Sequence, residues 1–141
     1  MAKLKSFAQF GKIVKSVLEK NAKNYQQDVG VELGGDVARL TPIDTGKATA
    51  NFSGSINAPD TTSKNRFDKS TSANPTKQAI QKELYKSKFG DVLYISNGVK
   101  GDQGEGYIIQ LENGKSKQAP RGMVAINLAR LQIISKEALS K

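Results

Sequence analysis

The sequence predicts an α+β fold: a long N-terminal helix and a small antiparallel sheet with helices packed on one face. Apolar residues recur at helical spacing through residues 3–40. Two short runs rich in β-branched and aromatic residues, 91–97 and 107–112, read as strands. A second helical stripe begins at about Arg121.

The first stripe runs through Leu4, Phe7, Phe10, Val14, Val17 and Leu18 and continues through Tyr25, Val29, Leu33, Val37 and Leu40. One long helix or two stacked ones fits it. Gly30, Gly34 and Gly35 weaken it, each costing on the order of 1 kcal/mol against Ala. A bend, a break or a close packing contact is expected there. Lys3, Lys5, Lys12, Lys15, Lys20 and Lys23 face only Glu19 in charge, so the N-terminal half is strongly basic. Thr41-Pro42 ends the helix, because proline disfavours helical backbone at the preceding residue and lacks an N–H.

Asp44-Thr45-Gly46 reads as a turn, and residues 48–57 as a weak strand carrying Phe52 and Ile56. Residues 57–74 are polar, with Phe67 the only strongly apolar member, and are expected to form a mobile loop in the isolated subunit. Asn74-Pro75 signals a helix start with Asn74 as the cap; Ile80 and Leu84 share a face, and Gly90 ends the element. Runs 91–97 and 107–112 are expected to pair as an antiparallel hairpin, with 98–106 a second mobile loop at its tip. Asn113-Gly114 is a further turn. The last helix carries Val124, Leu128, Leu131 and Ile134 as its expected inner face. No internal repeat is visible, and residues 1–141 read as one domain.

The apolar share is 37% and the mean hydropathy −0.50, so the core is modest for the length. Contacts with neighbouring subunits would recover the missing burial. With no Cys there is no disulfide or thiolate metal site, and with no His the commonest general base and metal ligand are both missing. No apolar run approaches the roughly 20 residues of a membrane span. The basic N-terminus leads into a periodic pattern, unlike a secretory signal. The net charge of +9 favours DNA, RNA or an acidic protein surface as a partner; a solvated basic face is the plainer reading.

Short motifs add little chemistry. Asp44-Thr45-Gly46 matches the aspartic-protease tripeptide, but Lys47 follows it, and a cation there would depress the raised carboxyl pKa that such a dyad uses. Gly114-Lys115-Ser116 lacks the upstream glycine of a phosphate-binding loop. Residues 101–106 have the wrong glycine order for a dinucleotide site, and Asp102 and Glu105 lack calcium-loop spacing. Lys115, Lys117 and Arg121 form a second basic cluster without interleaved aromatics, so stacking on single strands is not expected. Non-specific contact with a nucleic-acid backbone remains open.

Three segments in order carry a resemblance: Thr41-Pro42-Ile43-Asp44-Thr45-Gly46, Asp91 to Asn97, and Leu111 to Val124 with its Gln118-Ala119-Pro120-Arg121-Gly122-Met123 run. Across roughly 33–126 the chain resembles the neck or tail-completion proteins of tailed bacteriophages, similar to the minor tail protein Z group. Residues 98–106 are longer and richer in glycine than the short turn usual there, and the loop 57–74 is also a departure. The resemblance implies a non-enzymatic virion protein, assembled in the host bacterial cytoplasm, without cofactor or metal. It implies a homo-oligomeric ring, a hexamer with head-to-tail contacts, between the head-side connector or stopper and the tail tube or terminator. Genomic DNA would pass through its channel. Interface candidates are Lys12, Lys15, Asp44, Glu112, Lys115, Lys117 and Arg121. Glu112 is expected to end a strand beside Lys115 and Lys117 and to pair with them or with a neighbour. A tail-terminator ring, a non-specific DNA-binding protein and a dimeric protease built on Asp44 are the alternatives.

Overall fold

A computed structural model describes residues 6–100, 107–114 and 116–140. It is α+β, with one long helix, a two-stranded antiparallel sheet and short helices packed around them. Helix α1 spans Phe7–Leu40 without a break. The Ser6 hydroxyl accepts the Gln9 N–H at its start, and at its end the Thr41 hydroxyl donates to the Val37 carbonyl just before Pro42.

The glycines of α1 serve close packing. A methyl group on Gly34 would lie 2.9 Å from a methyl of Ile95 and 3.2 Å from one of Ile80. Helix and sheet therefore approach more closely than any side chain would allow. The buried Gln27 amide ties the same helix to the segment 84–87, donating to the Leu84 and Ser87 carbonyls and, at 2.9 Å, to the Ser87 hydroxyl.

After Gly46 the chain makes a single helical turn, α2 (Lys47–Ala50), and enters β1 (Phe52–Ile56). The expected strand over 48–57 thus opens with helical residues 48–50 and is extended only from Phe52 to Ile56. Helix α3 (Asn74–Leu84) packs on both β1 and α1. Its cap is not Asn74 but Ala73, in a left-handed conformation, and the Asp68 carboxylate supplies the missing acceptor by taking the Thr76 N–H and hydroxyl. The helix ends at Leu84, six residues before Gly90. Ile80 and Leu84 are fully buried, as their spacing predicts.

Strand β2 (Leu93–Asn97) pairs with β1, from Phe52 opposite Asn97 to Ile56 opposite Leu93. The expected hairpin between 91–97 and 107–112 is not formed. Tyr107–Glu112 is a helix, α4. Its inward residues are Leu111, buried, and Ile108, packed at the core's edge, three positions apart, while Ile109 is exposed. That spacing is helical, and the strand that pairs with β2 is β1.

The last stripe forms two helices, α5 (Val124–Ala129) and α6 (Leu131–Leu139), meeting at Arg130. The inner face differs from expectation. Met123, Asn127, Ile134 and Ala138 are buried, whereas Val124, Leu128 and Leu131 are exposed. The main core gathers Val31, Val37, Phe52, Ile80, Leu84, Leu111 and Met123. Within α1 the buried positions begin only at Gln27. About 28 Å of helix, residues 7–25 at 1.5 Å per residue, thus contributes no buried residue.

Of the expected loop 57–74, residues 57–73 have no regular structure but are densely hydrogen-bonded, and Asn74 already belongs to α3. Asn51 exchanges hydrogen bonds with the Lys64 backbone, and the Arg66 guanidinium donates to the Ala50 and Phe52 carbonyls. Ser96 donates to the Asp60 carbonyl, and the Lys100 N–H to the Ser63 hydroxyl. The remainder of the second expected loop, 101–106, lies outside the described residues.

Candidate assembly interface

The first half of α1 is an amphipathic helix standing beyond the core. Phe7, Phe10, Val14, Val17 and Leu18 fall on one side by helical spacing, and Lys12, Lys20 and Lys23 on the other. Such a face belongs against another surface, yet Phe7 is 94% exposed, Phe10 50% and Leu18 63%. Phe89, in the chain after α3, rises beside this face. Together Phe10, Val14, Leu18, Ala22 and Phe89 line a groove of about 630 Å³ with Lys15 and Glu19 at its rim. Those two rim residues pair at 3.7 Å with the Lys15 side chain 77% exposed, a contact worth little in water.

The expected interface residues do not gather in one place. Lys12 and Lys15 lie on the projecting half of α1, while Asp44 lies exposed in the turn beyond its other end. At that turn it is the Thr45 hydroxyl that accepts the Lys47 N–H. Lys117 and Arg121 are exposed in the segment between α4 and α5, and Lys115 lies outside the described residues.

Glu112 departs most from expectation. It ends a helix rather than a strand, and its carboxylate accepts the N–H groups of Met123, Val124 and Ala125, each at 2.8 Å. Burial works to raise its pKa, but these N–H bonds outweigh it and hold the carboxyl below its ordinary value. Its function is to fasten the start of α5.

The first of the segments that carry the resemblance touches the third directly and the second through α2. The Ile43 N–H donates to the Gln118 side-chain oxygen at 3.1 Å, and the Asn97 amide donates to the Ala48 carbonyl at 2.8 Å. Gly46 has φ +82°, and a methyl group there would lie 2.5 Å from the Asp68 carbonyl oxygen. The Asp68 N–H in turn donates to the Gly46 carbonyl. The turn is thus held to the C-terminal segment through Gln118 and to the loop before α3 through Asp68.

A second cleft of about 540 Å³ runs beside β1, lined by Ser53, Ser55, Asp60, Lys64, Arg66 and Lys82 among others. Two of its cations are already engaged: Lys64 with Asp60 at 2.7 Å and Ser53 at 2.8 Å, and Arg66 with backbone carbonyls. The Lys64 hydrogen bond, aided by Thr62, holds the Asp60 carboxyl far below the usual range. Among the described residues no group of His, Cys, Asp or Glu is placed to hold a metal ion, and no helix is long and apolar enough to cross a membrane.

Not visible in the sequence are Phe89 as a wall of the groove and Asp68 as the acceptor at the start of α3. Neither lies in a periodic pattern, so only the folded chain brings them to these positions. Comparison with known proteins finds no match to the chain among family models, curated proteins or solved structures.

Proposed function

We propose that the chain is a structural, non-catalytic subunit of a tailed-phage neck. It forms a ring that completes the tail and joins it to the head-side connector, leaving a channel for DNA. One observation carries the reading: the first half of α1 presents large apolar side chains that its own core does not cover. A monomer that leaves such a face in water is poorly soluble, whereas an assembly subunit buries it against a neighbour. The resemblance of the three motif segments supplies the kind of assembly. The basic side of α1 suits passing DNA or an acidic neighbour.

The test is a nonsense mutation of the gene, complemented in trans. The expected result is DNA-filled heads and separate tails, with whole particles restored by the wild-type chain. Normal infectious particles without the chain would contradict the proposal.

A further inference from the structure

The sheet has two strands among the described residues, so each strand has an edge that the other does not pair with. The edge of β1 opens into the cleft of about 540 Å³. Four successive strand residues, Ser53 to Ile56, line that cleft. The two faces of a strand take alternate residues, so a surface built from successive ones is the strand's edge. The Asn57 N–H donates to the Val92 carbonyl across the sheet at 2.8 Å. In an antiparallel ladder every second residue turns its backbone groups to the partner. Ser55 and Ser53 therefore face β2, while Phe52, Gly54 and Ile56 face the cleft. Arg66 agrees, since its guanidinium donates to the Phe52 carbonyl at 3.3 Å from the side away from β2. Among the described residues no hydrogen bond reaches the Gly54 or Ile56 backbone from the cleft side.

The cleft has a wall on each face of the strand. On one face α3 lies against the sheet: a methyl group on Gly54 would meet the Leu84 side chain at 2.8 Å, and Ala79, Lys82 and Glu83 of the same helix line the cleft. On the other face the loop carries Asp60, Lys64 and Arg66, with the Lys64 ammonium on the Ser53 hydroxyl at 2.8 Å. The charges of these walls do not balance. Asp60 is paired with Lys64 at 2.7 Å and Glu83 with Lys86 at 2.8 Å. Among the described residues neither Arg66 nor Lys82 has a carboxylate partner, which leaves one uncompensated cation on each wall.

We propose that the cleft binds an extended, acidic segment of a partner protein as a third strand beside β1. Strand addition draws affinity from main-chain hydrogen bonds and specificity from side chains that alternate between two walls. Gly54 and Ile56 offer N–H donors and carbonyl acceptors at a repeat of about 6.8 Å. An extended peptide answers both kinds of group at that repeat, whereas the backbone of DNA offers acceptors alone. Among the described residues no aromatic side chain lines the cleft to stack a base. Adjacent residues of an extended peptide point to opposite walls, so two neighbouring acidic residues reach Lys82 and Arg66 together. The cleft is separate from the apolar face of α1, and this binding stands or falls apart from the neck assembly.

The test is an amide-resolved nuclear magnetic resonance titration of the full chain with the end-blocked hexapeptide Thr-Val-Asp-Glu-Val-Thr. The expected result is movement of the Gly54 and Ile56 amide signals and slower solvent exchange at both. The amide counterpart Thr-Val-Asn-Gln-Val-Thr is expected to bind roughly tenfold more weakly, as is the acidic peptide to Lys82→Glu. Lys82 is exposed, so this change leaves the fold intact. Lys20→Glu alters the net charge equally but on α1, and is expected to bind as wild type does. The acidic peptide N-methylated at its central residues cannot pair with an edge and is expected not to bind. Equal binding of the acidic and amide peptides would overturn the proposal, as would equal loss in Lys20→Glu or binding that survives N-methylation. Oligothymidylate moving the same amides more strongly than the peptide would assign the cleft to nucleic acid. Concentration-dependent movement without peptide would assign it to a second copy of the chain. Either result overturns the proposal. No movement with any probe would overturn it too, and would leave Arg66 and Lys82 as guards against strand pairing.

Discussion

Glu112 and Gly46 show how single residues of the motif segments work. Glu112 holds three backbone N–H groups at the start of α5, a set of charge-assisted hydrogen bonds. Glu112→Gln keeps an acceptor but loses the charge, and is expected to cost about 1–2 kcal/mol. Because the folded carboxyl titrates below its ordinary value, its stabilisation is fully present above about pH 4.3 and fades as the pH falls through the lowered folded pKa. Thermal melts from pH 7 down to pH 3 are expected to show a shallower acid loss in Glu112→Gln than in wild type. Equal slopes would show that the carboxylate charge is not what fastens α5. Gly46 sits at φ +82° against the Asp68 backbone, so Gly46→Ala meets both a strained conformation and a clash that no rotamer relieves. A loss of about 2–4 kcal/mol is expected in urea unfolding, and a loss under 0.5 kcal/mol would contradict this account of the turn.

At the scale of elements, the helical character and the C-terminal end of α1 were legible, while its periodicity left one helix or two open at the glycines. Its apolar stripe, its Thr41-Pro42 stop and its close-packing glycines are all local signals. The pair Ile80 and Leu84 and strand β2 were legible for the same reason. Residues 107–112 were not. Two adjacent isoleucines after a tyrosine have strand propensity, and six residues are too few to separate a period of two from one of 3.6. Which strand pairs with β2 is a long-range matter, and the weaker run at Phe52–Ile56 took that place. Of the stripe Val124, Leu128, Leu131 and Ile134, only Ile134 faces inward as its spacing predicts; the other three are exposed. Periodicity shows that a face must be buried, not whether the partner is the same chain. The basic side of α1 gives a further prediction. Lys12→Glu/Lys15→Glu is expected to leave the melting temperature within about 2 °C, since both side chains are exposed and surface substitutions change stability little. Joining of heads to tails in an in vitro complementation assay is expected to fall at least tenfold. Unimpaired joining would show that this charge has no part in assembly.

The whole molecule divides its labour along α1. The C-terminal half of the helix, with α3, the sheet and the segments from α4 to α6, forms the core. The N-terminal half stands outside it with an apolar face, and α5–α6 keep a second one uncovered. The fold was therefore more legible than the site, because a fold is completed inside one chain and an interface is completed by another. The most direct measurement is electron microscopy of intact particles at side-chain resolution. The expected result is a closed ring of this chain between the head connector and the tail tube, around the DNA path, with Phe10, Val14 and Leu18 buried between neighbours. Finished, infectious particles whose neck contains no density for this chain would contradict it.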